Sequence, residues 1–206
     1  ALLLAVALGV PLGVAAALRR GSLTDGLSRL LALVGAAVPS YVLALLLMLL
    51  ISVKLNWLPT IGYGSPKHLV LPAIALALGS SAQLMRLSRA SMLEVLQQDY
   101  VRTARAKGLN ERVVIWVHAL KNALLPVVTV LGINLGHLLG GTVIVESIFN
   151  WPGVGKYAVD AIFLRDSPVI QGFVLYMGLI FLLVNLSVDL SYRWMDPRLH
   201  FGGQRA

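Results

Sequence analysis

The sequence predicts an all-α fold: a polytopic membrane bundle forming one transmembrane domain over residues 1–206. Three observations predict it. Hydrophobic residues fill 58% of the 206 positions and charged residues 13%, outside the balance of water-soluble domains. Apolar residues gather into five runs, at about 1–18, 31–53, 69–85, 123–145 and 169–192, each near the roughly 20 residues that cross about 30 Å of hydrocarbon. The runs do not alternate apolar with polar residues, so helices rather than barrel strands are expected.

The first run, 1–18, begins at Ala1 with no initiator Met and no polar lead, and contains Pro11. Its flanking charges, Arg19 and Arg20, follow it, whereas a secretory signal places them before its apolar region. The expectation is therefore a fragment or trimmed chain, in which a missing upstream span entering from the cytoplasm would make the topology six spans. Cations orient the rest. Arg19, Arg20 and Arg29 fall after the first run, and Arg193, Arg198 and Arg205 after the last. Arg86, Arg89, Arg102, Arg105, Lys107, Arg112 and Lys121 lie between the third and fourth runs. The other side holds only Lys54, Lys67, Lys156 and Arg165. Lys and Arg are retained on the cytoplasmic side, so the first span runs inward and the C-terminus is cytoplasmic. Trp57 and Trp151 then sit at outer ends and Trp194 at the inner end of the last span, as interfacial anchors.

Within the second and third runs, Pro39 and Pro72 remove backbone donors and are expected to kink or start helices. The fourth run places Gly132, Gly136 and Gly140 four residues apart, on one helix face that lets a neighbouring backbone approach closely. Asn134 and His137 lie in the same run, where polar groups need a partner or water; interhelical hydrogen bonding and a place lining a substrate path are both open. Gln83, Asn185 and Asp189 pose the same choice.

Catalytic patterns are nearly absent. Gly155, Lys156 and Tyr157 imitate the end of a phosphate-binding loop, but Asn150 stands at the upstream glycine and Tyr157 at the hydroxyl position. His68, His118, His137 and His200 fall in separate segments without paired metal-ligand spacing. The run Gly79, Ser80, Ser81 lacks the nucleophile-elbow pattern, and with no cysteine there are no disulfides or thiolate metal sites. The net charge of +8 tracks one membrane face rather than forming a patch with stacking aromatics, which argues for anionic lipid and against nucleic acid. No cofactor or metal is expected, and the chain reads as non-catalytic.

The specific signal is the basic island from Arg86 to Lys121. Residues 91–107 contain neither Gly nor Pro, carry Leu93, Leu96 and Tyr100 at helical spacing, and end at Gly108 as a C-cap. A helical cytoplasmic element over 91–108 is expected, one face on the bundle and the other presenting Arg102, Arg105 and Lys107. DYVRTARAKGL followed by HALKNALLPVVT resembles the cytoplasmic loop of ABC importer permeases of the dipeptide, oligopeptide and nickel branch. Gly108 aligns with the signature glycine, which puts Arg102, Thr103 and Ala104 at its EAA positions. Arg in place of Glu and Lys121 in place of Pro match the branch's own pattern. A second block, ESIFNWPGVGKYAVDAIFLRDSP over residues 146–168, is similar to the same branch's E-x-x-F-x-x-P-G-x-G segment.

The resemblance implies a type I importer permease that pairs with a homologous second permease as a heterodimer and works with two ATPase subunits and an extracytoplasmic solute-binding protein. ATP would be bound by those partners. Coupling to the ATPase would fall to Arg102, Thr103, Ala104, Arg105, Lys107 and Gly108, and the binding protein would touch the loops near 54–67 and 146–168. Peptides are the expected cargo, with nickel chelates and glutathione carried by relatives of this branch. A secondary transporter or channel without an ATPase is the alternative; it would call for buried ionisable pairs at the membrane midplane, where the runs hold almost no carboxylates.

Overall fold

The computed structural model describes the backbone of residues 1–195 and the side chains of residues 1–192. The side chains of Arg193 and Trp194, and Arg198, His200 and Arg205, lie outside the described residues. Each predicted apolar run is helical, and no strand occurs among the described residues. Helices satisfy every backbone group within the segment, which hydrocarbon demands.

Helix α1 (Leu2–Leu18) lies along α4 (Lys67–Val95) because its contact face is almost bare of side chains. A Cβ on Gly9 would stand 2.5 Å from the Ser81 carbonyl oxygen and 2.9 Å from Leu84 Cβ, and one on Gly13 would overlap the Met85 carbonyl. Ala5, Ala16 and Ala17 complete the buried face. Pro11 is accommodated within α1. Arg19 to Ser22 then turn the chain, with Gly21 in the left-handed region at φ +78°.

Helix α2 (Leu23–Ala37) is capped by the Ser22 hydroxyl, which accepts from the Asp25 amide at 3.4 Å. It buries a narrow stripe of Asp25, Ser28, Ala32 and Gly35 and leaves Leu23, Leu27, Leu30 and Val34 exposed on the opposite side. Asp25 is held by a bidentate contact from Arg89, at 2.6 and 3.0 Å, and by the Gly21 amide at 3.0 Å. Arg29 stands 3.6 Å from the same carboxylate. This cluster fixes the start of α2 against α4.

The expected single span over 31–53 is corrected by the structure. Its helix begins eight residues earlier, at Leu23, and is broken: α2 and α3 (Ser40–Lys54) meet at 96°. Pro39 explains the break, since it forces Val38 into an extended conformation, φ −88° and ψ 117°. The last part of α3, Met48–Lys54, winds as π-helix. The third run extends to Val95, ten residues past its predicted end, so α4 is roughly 43 Å long at 1.5 Å per residue.

After the basic segment come α5 (Asp99–Ala106) and α6 (Glu111–Ala123), the latter with a π-helical middle at Val114–Ala119. Helix α7 (Leu125–Leu139) follows at 46° to α6, with Pro126 at its start. The fourth run, expected to reach residue 145, ends at Leu139. Gly140 and Gly141 break it, with Gly141 at φ +96°, before α8 (Val143–Ile148) and α9 (Val154–Phe163). The last helix, α10 (Ser167–Met195), packs on α7. Two helices, α4 and α10, are long and apolar enough to cross a membrane unbroken; α2 with α3 and α6 with α7 qualify as bent pairs, and α1 is shorter.

The glycine face of α7 is a packing face. Cβ atoms at Gly132 and Gly140 would overlap Val188 and Met177 of α10, and one at Gly136 would stand 3.2 Å from Phe181. Thr129 and Tyr192 share a hydrogen bond across the same seam. The other side of α10 exposes Val174, Leu175, Leu182 and Leu186, a surface suited to lipid.

Two outcomes follow for stability in detergent, read as the thermal unfolding midpoint. Gly9→Ala drives a methyl into backbone and is expected to destabilise by about 1–3 kcal/mol, whereas Gly178→Ala, which meets open space, leaves the midpoint unchanged. Asp25→Asn removes the charge that faces the Arg89 guanidinium and is expected to lower the midpoint.

Candidate functional site

The basic segment between α4 and α7 is built as an elbow. Sequence periodicity predicts one helical element over 91–108, and the structure splits it. Residues 91–95 are the end of α4, the chain turns at 96–98, and Gln98 is extended at φ −70° and ψ 149° before α5 starts. No Gly or Pro marks the turn. Its cause is tertiary: bending there lays Val101 and Ala104 of α5 into a core with Ala17, Met92, Val114, Ala119 and Ala123. Leu93 and Leu96 pack at the margin of that core, while Tyr100 stays exposed.

Helix α5 closes in a Schellman arrangement. The Gly108 amide bonds to the Arg105 carbonyl at 2.9 Å and the Leu109 amide to the Ala104 carbonyl at 3.4 Å, with Gly108 at φ +74°. This is the C-cap expected from sequence.

The named side chains divide. Arg102, Thr103 and Lys107 share the exposed surface of α5. Arg102 is 3.8 Å from Asp99, and the Thr103 hydroxyl donates to the Asp99 carbonyl at 2.8 Å, so both stay local and open to a partner. Ala104 points into the core instead. Arg105 turns to Glu111 at the start of α6, Nε and Nη2 donating at 3.1 and 2.7 Å. That carboxylate raises the Arg105 pKa further above its ordinary value, and the guanidinium lowers the pKa of Glu111. At the other end of α5, the Tyr100 hydroxyl accepts from Asn122 Nδ2 at 2.8 Å.

Asn134 and His137 lie on α7, away from this elbow. His137 is exposed and meets Phe181 edge-on at 6.1 Å between ring centroids. Asn134 Nδ2 is buried with no hydrogen-bond partner among the described residues, so the expected interhelical bond is not made by that atom. Gln83, Asn185 and Asp189 are exposed.

At the opposite end of the bundle the second motif block folds around Glu146. Its carboxylate accepts from the Thr142 amide at the start of α8 and from the Lys156 amide in the first turn of α9, both at 2.8 Å. An anion between two helix N-termini is electrostatically favoured. The glycine spacing of the motif then has a physical reason: a Cβ on Gly153 would overlap this carboxylate, and one on Gly155 would stand 2.9 Å from Val143 Cγ2. Phe149 is buried beside Leu71 and Ala75, and its carbonyl accepts from the Gly62 amide at 2.9 Å, tying the 55–66 loop to the block. Trp57 is exposed and Trp151 half-buried.

Sequence reading missed Glu111, Asn122 and the Asp25–Arg89 pair, and took Glu146 only as a motif letter. A carboxylate directly after Asn110, itself a helix N-cap, was a usable signal for Glu111. Nothing local announced Arg89 as the partner of a residue 64 positions away.

Replacing Glu146 by Gln removes the charge and leaves one acceptor for two amides. The expected loss is about 1.5–3 kcal/mol, seen as faster hydrogen exchange at Thr142 and Lys156 while exchange in α5 is unchanged.

The fold is that of a known transporter subunit. A chain of the MetNI methionine ABC transporter in inward-facing conformations superposes with a TM-score of 0.75 and 18% identity, over 95% of this chain and 89% of that one. A second crystal form of the same transporter gives a TM-score of 0.72 at 16% identity. Among curated proteins, the glutathione transport system permease protein GsiC of Pectobacterium atrosepticum is 45% identical over 197 residues. Its counterpart in Escherichia coli K12 is 44% identical over the same length. Both alignments take in 96% of this chain and 64% of the relative, so the chain spans just under two thirds of the curated relatives it matches. With residues 9–201 matched by the family's model, the chain belongs to the binding-protein-dependent transport system inner membrane component family.

Proposed function

We propose that this chain is the transmembrane permease subunit of an ABC importer, forming part of the pathway for peptides or related small solutes, glutathione among them. The observation that carries the reading is the elbow: a short helix, seated on the bundle by Val101 and Ala104, presents Arg102, Thr103 and Lys107 outward and ends at a left-handed Gly108. Such an element can be gripped from outside and still pass force inward. The fold shared with a methionine ABC transporter and the 45% identity to glutathione permeases support the same reading.

In this reading the permease does no bond chemistry and holds no cofactor. ATP is bound and hydrolysed by two separate ATPase subunits that clasp α5, and a homologous second permease completes the pathway as a heterodimer. The chain sits in a bacterial inner membrane with the basic elbow and the C-terminus in the cytoplasm, in keeping with the distribution of Lys and Arg. A binding protein delivers cargo to the opposite end. There the 55–66 loop is tied to the Glu146 block, and an open cleft is lined by Pro152, Gly153, Lys156, Tyr157 and Asp160.

The test is co-purification of the full-length permease with its candidate ATPase subunits. Arg102→Glu with Lys107→Glu reverses two exposed charges, and Gly108→Trp puts a large side chain on a left-handed residue. Both variants are expected to insert normally and to lose the ATPase. An unaltered permease that retains no ATPase would sink the importer reading and favour the secondary transporter.

A further inference from the structure

We infer that two side-chain ties, Asn122 to Tyr100 and Glu111 to Arg105, carry movement of α5 into the spans, which makes Asn122 and Glu111 positioning residues for coupling. The inference rests on the importer reading and assigns the route by which α5 is heard inside the membrane.

The asymmetry of α5's attachments carries it. Towards α4 the link is the turn at 96–98, where Gln98 gives no side-chain cap, together with the apolar packing of Val101 and Ala104 in the core that holds Met92. Among the described residues no side-chain hydrogen bond or ion pair joins α5 to α4. Towards α6 there are two, one at each end of α5. Asn122 Nδ2 reaches the Tyr100 hydroxyl at 2.8 Å and also donates to the His118 carbonyl at 3.3 Å, which fixes the amide on α6. Arg105 meets Glu111 through two parallel N–H donors, a planar fork that resists twisting. Between the ties, Val101 and Ala104 sit in one core with Val114, Ala119 and Ala123 of α6.

Exposed pairs of this kind add little stability one at a time. Placed at both ends of a short helix, around a packed centre, they set its angle. Helix α5 cannot roll or tilt against α6 without breaking one of them. Helix α6 leads through the 46° bend into α7, whose glycine face rides on α10. A push on Arg102, Thr103 and Lys107 is therefore delivered to α7 by way of Glu111 and Asn122.

The experiment alters only residues outside α5, so the surface offered to the ATPase is untouched. The full-length permease, its partner permease and the ATPase subunits are reconstituted in a cysteine-free background. A single cysteine replaces the exposed His137 on α7, and its reaction with a water-soluble maleimide is timed with and without ATP. In the parent assembly ATP is expected to change that rate about fivefold or more. In Glu111→Gln with Asn122→Leu, the ATPase stays bound and hydrolysis stays within about twofold, while the ATP-dependent change in labelling is lost. Glu111→Asp with Asn122→Gln keeps both chemistries and is expected to recover part of it.

Persistence of the labelling change in the Gln/Leu variant would overturn the inference. So would loss of the ATPase from that variant, which would make the two residues part of the docking surface, or a parent that binds ATPase yet shows no change at His137. A parent that binds no ATPase overturns the importer reading itself, and is told apart by the co-purification.

Discussion

The bundle depends on how closely other helices can approach α4. Helices α1, α2, α3, α6, α7 and α8 all rest on it. In hydrocarbon no hydrophobic force drives helices together, so association comes from van der Waals contact, and contact is closest where side chains are smallest. That condition is met where α1, α2 and α3 cross it. Gly9 and Gly13 of α1 lie against the backbone of α4, Gly35 of α2 against Ala82, and Ala44 of α3 beside Leu71 and Ala75. With α4 held this firmly, its end at Val95 gives the elbow a fixed footing, and the position of α5 becomes a matter of how the chain turns there.

Legibility from sequence followed the range of the interactions. Fold class and the helical state of the five apolar runs rest on composition and local patterning, and these were readable, whereas the short helices α8 and α9 were not. Gly108 was readable too, because a left-handed cap favours glycine whatever surrounds it, and so was the glycine face of α7. What could not be read was set by contacts across the chain. The turn at 96–98 contains ordinary helix formers and bends because Val101 must reach the core around Met92. Ala104 and Arg105 are adjacent to the exposed residues in sequence, yet one faces inward and the other is claimed by Glu111. Pro39 was visible as a kink signal, but the 96° angle it produces depends on α2 and α3 each finding a separate face of α4.

The two motif blocks differ in how their charges are used, and the difference fits their places in the bundle. Glu146 spends both carboxylate oxygens on backbone amides of α8 and α9, with Gly153 and Gly155 pared down to make room. An arrangement of that sort holds three segments in one geometry. The elbow instead uses exposed side-chain pairs, Arg105 with Glu111 and Tyr100 with Asn122, which join two helices and leave Arg102, Thr103 and Lys107 on the surface. One end is tied through backbone amides and the other through exposed side chains.

Helix α7 stands between these ends, and both of its boundaries are joints. At Leu124 it departs from α6 by 46°, and at Gly140 and Gly141 it gives way to α8, whose N-terminus is pinned by Glu146. Its seam with α10 sets glycines against Val188, Phe181 and Met177, with Thr129 hydrogen-bonded to Tyr192 near one end and the Tyr176 hydroxyl donating to the Leu139 carbonyl at 3.2 Å near the other. With Glu146 fixing the start of α8 and the bend at Leu124 leading to the elbow, α7 is the span that links the two ends of the bundle. Nδ2 of Asn134, on the same helix, is buried without a hydrogen-bond partner among the described residues.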